Sequence, residues 1–141
     1  MNRAKACIIS CIDYRFHDGI NKFLDDQGYK SEVDLISIAG ASHDLVRPED
    51  PSDSKYLWKQ IGISLKLHDP QDFVIIDHQD CGMYKATGEV RKGMSFEEDF
   101  NVHKSVLVNL KSEFLKRFPK FQGTLHIWFA KLDGTVIPII V

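Results

Sequence analysis

Two thiols and one imidazole occur in this chain at positions where they could share a metal ion. Cys11 opens the run Cys-Ile-Asp-Tyr-Arg, and His78 and Cys81 belong to the run His-Gln-Asp-Cys-Gly. Sulfur and nitrogen donors of this kind suit zinc, and three protein ligands would leave one position of a tetrahedral ion open. An open position is typical of a catalytic zinc site and not of a structural one.

A carboxylate and a cation accompany the first cysteine. Side chains two residues apart on an extended chain face the same side, so Asp13 and Arg15 are predicted to lie on the side of Cys11. The guanidinium of Arg15 would lower the pKa of Asp13 and keep it ionised as a hydrogen-bond acceptor. Asp13 could instead cap a following helix, although that role alone would not explain Arg15.

Two short apolar runs place these residues at the ends of strands. Residues 6–12 and 73–76 are rich in isoleucine, as expected of parallel strands that are buried on both faces. Cys11 lies at the end of the first strand, and His78 lies just past the end of the second. Ligands of open α/β sheets bind beyond the carboxyl ends of the strands, so Cys11 and His78 should meet if the strands are neighbours.

The rest of the chain alternates between helical and strand patterns. Asp133-Gly134 predicts a hairpin turn near the C-terminus. Helices are predicted at residues 17–27, 52–68 and 95–118, and further strands at residues 32–39, 124–131 and 135–141. The order predicts one α/β domain over residues 1–141, a mostly parallel four-stranded sheet flanked by helices, with a C-terminal antiparallel strand.

Composition and charge exclude several classes of partner. The 141 residues are 43% hydrophobic and 27% charged, with a net charge of −2, which gives no reason to expect nucleic-acid binding. No apolar stretch reaches transmembrane length, so we expect no membrane partner and a cytoplasmic location. Three reduced cysteines then favour metal binding over disulfides, with Cys7 left over as a core residue.

Taken together, the two motifs resemble the paired signatures of the beta-class carbonic anhydrases. Each motif alone is a weak pattern, but both in this order, each at a strand end, are a specific match. The segment Ile-Ala-Gly-Ala at residues 38–41 is similar to the Ala-Gly segment after the family's second strand. The terminal hairpin resembles the family's last strands, so the resemblance covers the chain from about Ala6 to Val141.

The resemblance implies a zinc lyase that hydrates carbon dioxide reversibly to bicarbonate by zinc-bound hydroxide. Cys11, His78 and Cys81 would be the zinc ligands, Asp13 would accept the proton of the hydroxide, and Arg15 would hold Asp13 aligned. Family members also show an inactive arrangement in which this aspartate binds the metal, and Asp13 could do the same. A homodimer or larger even oligomer is implied, because the family builds its pocket at a subunit interface.

Three features depart from the family pattern. Ser37-Ile38 stands where Arg-Asn is usual, Asp77 replaces a glycine, and only ten residues precede Cys11 in place of a long helical arm. Two alternatives to the lyase therefore stay open. One is a zinc hydrolase of a related small electrophile such as carbonyl sulfide or carbon disulfide. The other is a non-catalytic zinc-binding module in which Asp13 closes the metal site.

Other polar residues near the motifs are predicted to play smaller parts. His17 and His43 are candidate proton shuttles because imidazole titrates near neutral pH, although an ordinary surface position is expected for each. Asp80 is predicted to be a surface turn residue, and Asp77 either supports a ligand by hydrogen bonding or simply ends its strand. His103 is predicted to be structural and to lie away from the crevice.

Overall fold

The computed structural model describes residues 3–141 and alternates strands and helices along the chain. The strands are β1 (Ala6–Ser10), β2 (Val33–Ser37), β3 (Asp72–His78), β4 (Thr124–Ala130) and β5 (Val136–Pro138). The helices are α1 (His17–Asp26), α2 (His43–Val46), α3 (Pro51–His68), α4 (Gly82–Ala86) and α5 (Phe96–Arg117). A turn of 3₁₀ helix, Tyr14–Phe16, precedes α1. Within this described part, no helix is both long and apolar enough to span a bilayer.

The five strands form one sheet in the order β2-β1-β3-β4-β5. The first four strands in this order run parallel, and β5 pairs antiparallel with β4. Strands β1 and β3 are neighbours, with Ile9 opposite Ile75, so the residues that follow their carboxyl ends meet at one edge of the sheet. The predicted fold class is confirmed, including the C-terminal antiparallel strand.

The apolar runs of the central strands are explained by helices on both faces of the sheet. Every residue of β1 is buried, and six of the seven residues of β3 are buried. Ile9 and Ile75 share one core with residues of α3 and α5, whereas Ile8 and Val74 share the other core with residues of α1. This two-sided burial is why neither strand shows polar alternation.

Strand ends differ by a few residues from the predicted ones. β1 ends at Ser10, so Cys11 lies just beyond it, and β3 continues through His78, which is in register with Ala130 of β4. The last strand is shorter than predicted and ends at Pro138, which has no N–H for the ladder. The loop after β2 also contains the unpredicted short helix α2.

Candidate metal centre

The sheet brings the two cysteines and the histidine of the sequence motifs together. The ligand atoms of Cys11, His78 and Cys81 all lie within 4.8 Å of one another, and all three residues are buried. Cys11 follows β1, His78 is the last residue of β3, and Cys81 is the N-cap residue of α4. The pairing of β1 with β3 and the tight turn into α4 therefore build the cluster.

The imidazole of His78 is oriented as a metal ligand would be. Its Nδ1 lies 2.8 Å from the carbonyl oxygen of Gln79, so the Nδ1–H donates there and Nε2 carries the free lone pair. Within residues 3–141, the buried Nε2 has no hydrogen-bond partner. A buried polar atom without a partner costs free energy, and a metal ion at Nε2 would remove that cost. Phe16 fixes the ring from one side, with ring centroids 4.1 Å apart.

The thiols of Cys11 and Cys81 form a close pair that would bind a metal ion through both sulfurs. The pKa of Cys11 is lowered, mainly because the Cys81 thiol lies against it as a hydrogen-bond donor, and the Gly40 N–H also donates to Cys11 Sγ at 3.4 Å. The pKa of Cys81 is raised by the same pairing, because the two sulfurs share one proton. A zinc ion would replace that proton, and two thiolates with one neutral imidazole are a fitting donor set.

Gly40 is required by the close packing of the loop that follows β2. Its φ is +80°, and a Cβ at this position would lie 2.8 Å from Met83 Cγ and 3.0 Å from His43 Cβ. Glycine therefore lets the loop approach α4 closely enough for its N–H to reach Cys11. This explains the Ala39-Gly40 segment that the sequence resemblance singled out.

Asp13 and Arg15 form the carboxylate–guanidinium pair that the sequence predicted, but on a different backbone. Asp13 itself has an extended backbone, but the chain then turns into the 3₁₀ helix that Asp13 caps, and Asp13 Oδ1 accepts from the Arg15 N–H. Arg15 Nη2 donates to Asp13 Oδ2 at 2.7 Å, and Arg15 Nε donates to Oδ1 at 3.1 Å. Capping and ion pairing, which the sequence left as alternatives, are thus both made by one carboxylate.

These bonds set the electrostatics of the pair and its place beside the cluster. Hydrogen bonds from Arg15 lower the pKa of Asp13 to about 2, so the carboxylate is ionised at neutral pH. Asp13 Oδ2 lies 3.9 Å from His78 Nε2. Asp13 is not part of the three-residue ligand cluster in this arrangement.

An open crevice of about 560 Å³ leads to this site. Its walls combine apolar side chains with the acid and the guanidinium, and comprise Cys11, Ile12, Asp13, Tyr14, Arg15, Ala39, Gly40, Gly82 and Met83. Beside this crevice, the side chain of Ile12 is 56% exposed and that of Tyr14 is 83% exposed.

A second buried polar network is centred on Asp77, the residue that precedes His78 in β3. The carboxylate of Asp77 accepts from the Ser42 hydroxyl at 2.6 Å and from His103 Nδ1 at 2.7 Å. Asp77 therefore supports the loop after β2 and helix α5, and the two roles predicted for it are both replaced. His103 is buried as a structural residue would be, but it contacts the neighbour of a candidate ligand and is not remote from the site.

Two further residues differ from their sequence-based expectations. His43 is fully buried, with Nδ1 2.8 Å from Asp44 and Nε2 2.7 Å from Glu89, so the expected surface position is wrong for it, whereas His17 is exposed. Asp80 does lie in a turn, but it also binds Arg15 through its carboxylate. The only sequence signal for Asp80 was its position between His78 and Cys81.

Sequence comparison places this chain in a family. The family described as "Putative carbonic anhydrase" matches residues 1–113. An uncharacterized protein of Rickettsia bellii is 26% identical over 136 residues, covering 96% of this chain and 82% of that protein. One of Rickettsia conorii is 27% identical over 136 residues, covering 96% of this chain and 72% of that protein.

Solved structures of beta-carbonic anhydrases share the fold. A mutant form of the Aspergillus fumigatus enzyme CafD superposes with a TM-score of 0.63 at 17% identity, covering 100% of this chain and 91% of that one. A carbonic anhydrase from Glaciozyma antarctica gives 0.59 at 19% identity, with coverages of 99% and 85%. A tetrameric beta-carbonic anhydrase from Sordaria macrospora gives 0.61 at 14% identity, with coverages of 100% and 83%. The chain therefore belongs to the putative carbonic anhydrase family, as a divergent member with the beta-carbonic anhydrase fold.

Proposed function

We propose that this protein is a zinc-dependent carbonic anhydrase that hydrates carbon dioxide reversibly to bicarbonate. The observation that carries this proposal is a carboxylate held separately beside a three-ligand cluster. Asp13 is bound by Arg15 and lies 3.9 Å from His78 Nε2, outside the group formed by Cys11, His78 and Cys81. A site that only stored a metal would have no use for such a carboxylate.

Cys11, His78 and Cys81 would hold the zinc through two sulfurs and Nε2. A zinc ion with three protein ligands and one open position makes water acidic enough to ionise near neutral pH. The protein holds the imidazole in the required tautomer through the Gln79 carbonyl and supports the Cys11 thiolate through the Gly40 N–H. These two backbone bonds fix the ligands before any metal binds.

Asp13 acts as the acceptor for the hydrogen of the reacting water. An ionised carboxylate can only accept, so it turns the oxygen lone pair of that water towards the substrate. Arg15 keeps Asp13 ionised and fixes both of its oxygens, so the reacting atoms are aligned in advance.

The crevice suits a small apolar substrate. Ile12, Ala39 and Met83 supply apolar walls for carbon dioxide next to the cluster. The same crevice is open to solvent, so an anionic product such as bicarbonate leaves into water. Carbonyl sulfide and carbon disulfide have the same linear shape. Measuring the hydrolysis of either compound by the zinc-loaded protein would test the alternative that the protein is a hydrolase.

We propose that the protein forms a homodimer or larger even oligomer and is cytoplasmic. Ile12 and Tyr14 expose apolar surface beside the crevice, and a second copy of the chain would cover it in a homodimer or larger even oligomer. The relative from Sordaria macrospora is described as tetrameric. In the proposed cytoplasmic location, the thiols of Cys7, Cys11 and Cys81 would stay reduced.

Stopped-flow carbon dioxide hydration by the zinc-loaded protein, followed from about pH 6 to about pH 9, tests the proposal. We expect turnover in proportion to bound zinc, with a rise in rate as the reacting water ionises. Protein that carries one zinc per chain and shows no hydration at any pH would overturn the catalytic proposal and favour the non-catalytic module.

A further inference from the structure

Asp80 binds the guanidinium of Arg15 at the edge next to the one that Asp13 binds. Arg15 Nη1 donates to Asp80 Oδ2 at 3.0 Å, and Arg15 Nη2 donates to the Asp80 backbone oxygen at 3.0 Å. The other carboxylate oxygen of Asp80 pairs with Lys85. One residue between two candidate ligands thus binds Arg15 through both its side chain and its main chain.

The two acids together use the donors of Arg15 in a fixed plane. Nε and Nη2 face Asp13, whereas Nη1 and Nη2 face Asp80. Fork-shaped pairing of this kind fixes direction as well as charge. The Arg15 side chain is already 38% exposed. Without the bonds to Asp80, it could therefore turn towards solvent, and Asp13 would lose the partner that restrains it.

The backbone at Asp80 is itself held in place by helix α5. Its φ is +61°, a left-handed conformation that few residues other than glycine adopt readily. The Asp80 N–H donates at 2.8 Å to Oδ2 of Asp99, which is buried on α5. The other Asp99 oxygen lies 3.3 Å from His103 Nε2, and His103 in turn binds Asp77. The turn that presents Asp80 to Arg15 is therefore attached to the core.

We propose that Asp80, held by Asp99, is a positioning residue that anchors Arg15 and thereby keeps the Asp13 carboxylate off the Cys11–His78–Cys81 cluster. The inference rests on the proposed function, because it matters only if that cluster holds a metal with an open position. Asp13 is close enough to compete, since its Oδ2 lies 3.9 Å from His78 Nε2. The clamp from Asp80 through Arg15 thus determines whether the open position is free.

Cobalt can replace zinc as a probe of that position, because its visible absorption reports the ligands and their number. The test variant is Asp80→Gly, which removes the carboxylate and suits the positive φ, so the turn itself is not strained. Lys85→Gln is the matched control, since it removes the other partner of the Asp80 side chain and leaves the bonds to Arg15 in place. Azide is titrated into each cobalt-loaded protein as a small anion that binds an open position.

We expect wild type and Lys85→Gln to bind azide with similar affinity. Asp80→Gly should bind azide roughly tenfold or more weakly, the effect of losing one charge-assisted hydrogen bond, because Asp13 then competes for the metal. Adding Asp13→Asn to Asp80→Gly should restore the azide response, since an amide is a poor competitor. Asparagine caps a helix as well as aspartate does, so the turn at residue 13 should persist.

The outcomes separate this inference from the proposed function. Wild type without thiolate-to-cobalt absorption would overturn the metal centre and this inference with it. A normal cobalt spectrum with unchanged azide affinity in Asp80→Gly would overturn the inference alone. Weak azide binding that Asp13→Asn does not restore would show that Asp80 acts on the fold and not through Asp13.

Discussion

At the residue scale, His78 combines burial with a ring nitrogen that has no hydrogen-bond partner among residues 3–141. Most buried polar atoms of this site have a partner, as Asp77 has in Ser42 and His103. Among residues 3–141, the His78 atom without a hydrogen-bond partner is Nε2, whereas Nδ1 is bonded to the Gln79 carbonyl. Burial alone would lower the pKa of His78, but the Cys11 sulfur and the Gln79 carbonyl raise it. A positive charge is thus favoured beside the Cys11 sulfur, and a zinc ion bound at Nε2 would supply it.

Replacement of one thiol should remove the metal. Cys81→Ser should lower zinc content from about one per chain to a small fraction, because a hydroxyl stays protonated and is a poor ligand. Zinc is measured by atomic absorption after dialysis. Cys7→Ser makes the same chemical change at a buried cysteine of the core and should keep its zinc. Full zinc occupancy in Cys81→Ser would refute the ligand assignment.

Asp13 and Arg15 should behave as one unit in catalysis. Asp13→Asn and Arg15→Ala should each lower kcat/KM roughly a hundredfold, the scale expected when the reacting water is no longer aligned, with zinc still bound. The double variant should lose little more, because both changes break one arrangement. The loss should shrink at high pH, where water ionises without help.

Stopped-flow rates and zinc analysis on the wild type, the two single variants and the double variant provide this comparison. If the wild type is active and both single variants match it, Asp13 is not the hydrogen-bond acceptor that orients the reacting water, even if the zinc ligands are correct.

At the element scale, the loop after β2 is positioned by close backbone approach. Gly40→Ala should weaken zinc binding and lower stability by about 1–3 kcal/mol, because a Cβ would meet Met83 and disturb the N–H that supports Cys11. Gly28→Ala is the matched control, since its φ is +82° and a Cβ there would meet nothing within 4 Å. Competition with a zinc chelator and thermal unfolding measure the two effects. Equal losses in both variants would mean that only backbone strain matters.

The buried His103 on helix α5 should make the free energy of unfolding depend on pH. Burial alone would lower the pKa of His103, but Asp77 and Asp99 outweigh it and raise the pKa from 6.5 to about 9. The rings of Tyr84 and Phe129 also pack against His103 and bring no charge at neutral pH. Because the folded pKa is the higher one, the stabilisation is complete below about pH 6.5 and is lost as pH rises through about 9.

The free energy of unfolding should therefore fall between about pH 7 and about pH 9 by up to about 1.4 kcal/mol per pH unit. Urea unfolding at saturating zinc measures the slope, and His103→Gln should flatten it relative to wild type. A slope that is the same in both proteins would show that His103 is not the titrating group. Should His103→Gln fail to fold, NMR titration of the His103 ring in the wild type gives the pKa directly.

At the scale of the whole molecule, the exposed apolar residues at the crevice predict association. We expect sedimentation equilibrium at micromolar concentration to give at least twice the mass of one chain. Tyr14→Lys should weaken the assembly, because it places a charge on the 83% exposed side chain that a second copy would cover. Tyr56→Lys is a control at an exposed aromatic residue on α3. A stable monomer with full activity would contradict the proposed assembly.

Local sequence patterns were sufficient to predict the sheet and the residues that meet in the cluster. Isoleucine-rich runs without polar alternation required strands covered on both faces, as β1 and β3 are. Cys11 and His78 stand at the ends of those runs, so their meeting followed from strand adjacency. These properties depend on local pattern and on the rules for parallel sheets, which a sequence expresses directly.

The contacts that support the cluster could be seen only in the folded chain. Asp80, Asp99 and His103 are far from Asp13 and Arg15 in the chain, and nothing in their spacing reveals that a backbone N–H, two carboxylates and an imidazole meet. His43 likewise was expected at the surface, whereas Asp44 and Glu89 enclose it. Such contacts depend on side-chain directions across long sequence separations, which hydrophobic periodicity does not encode, and they are what hold Arg15 and Asp13 in place.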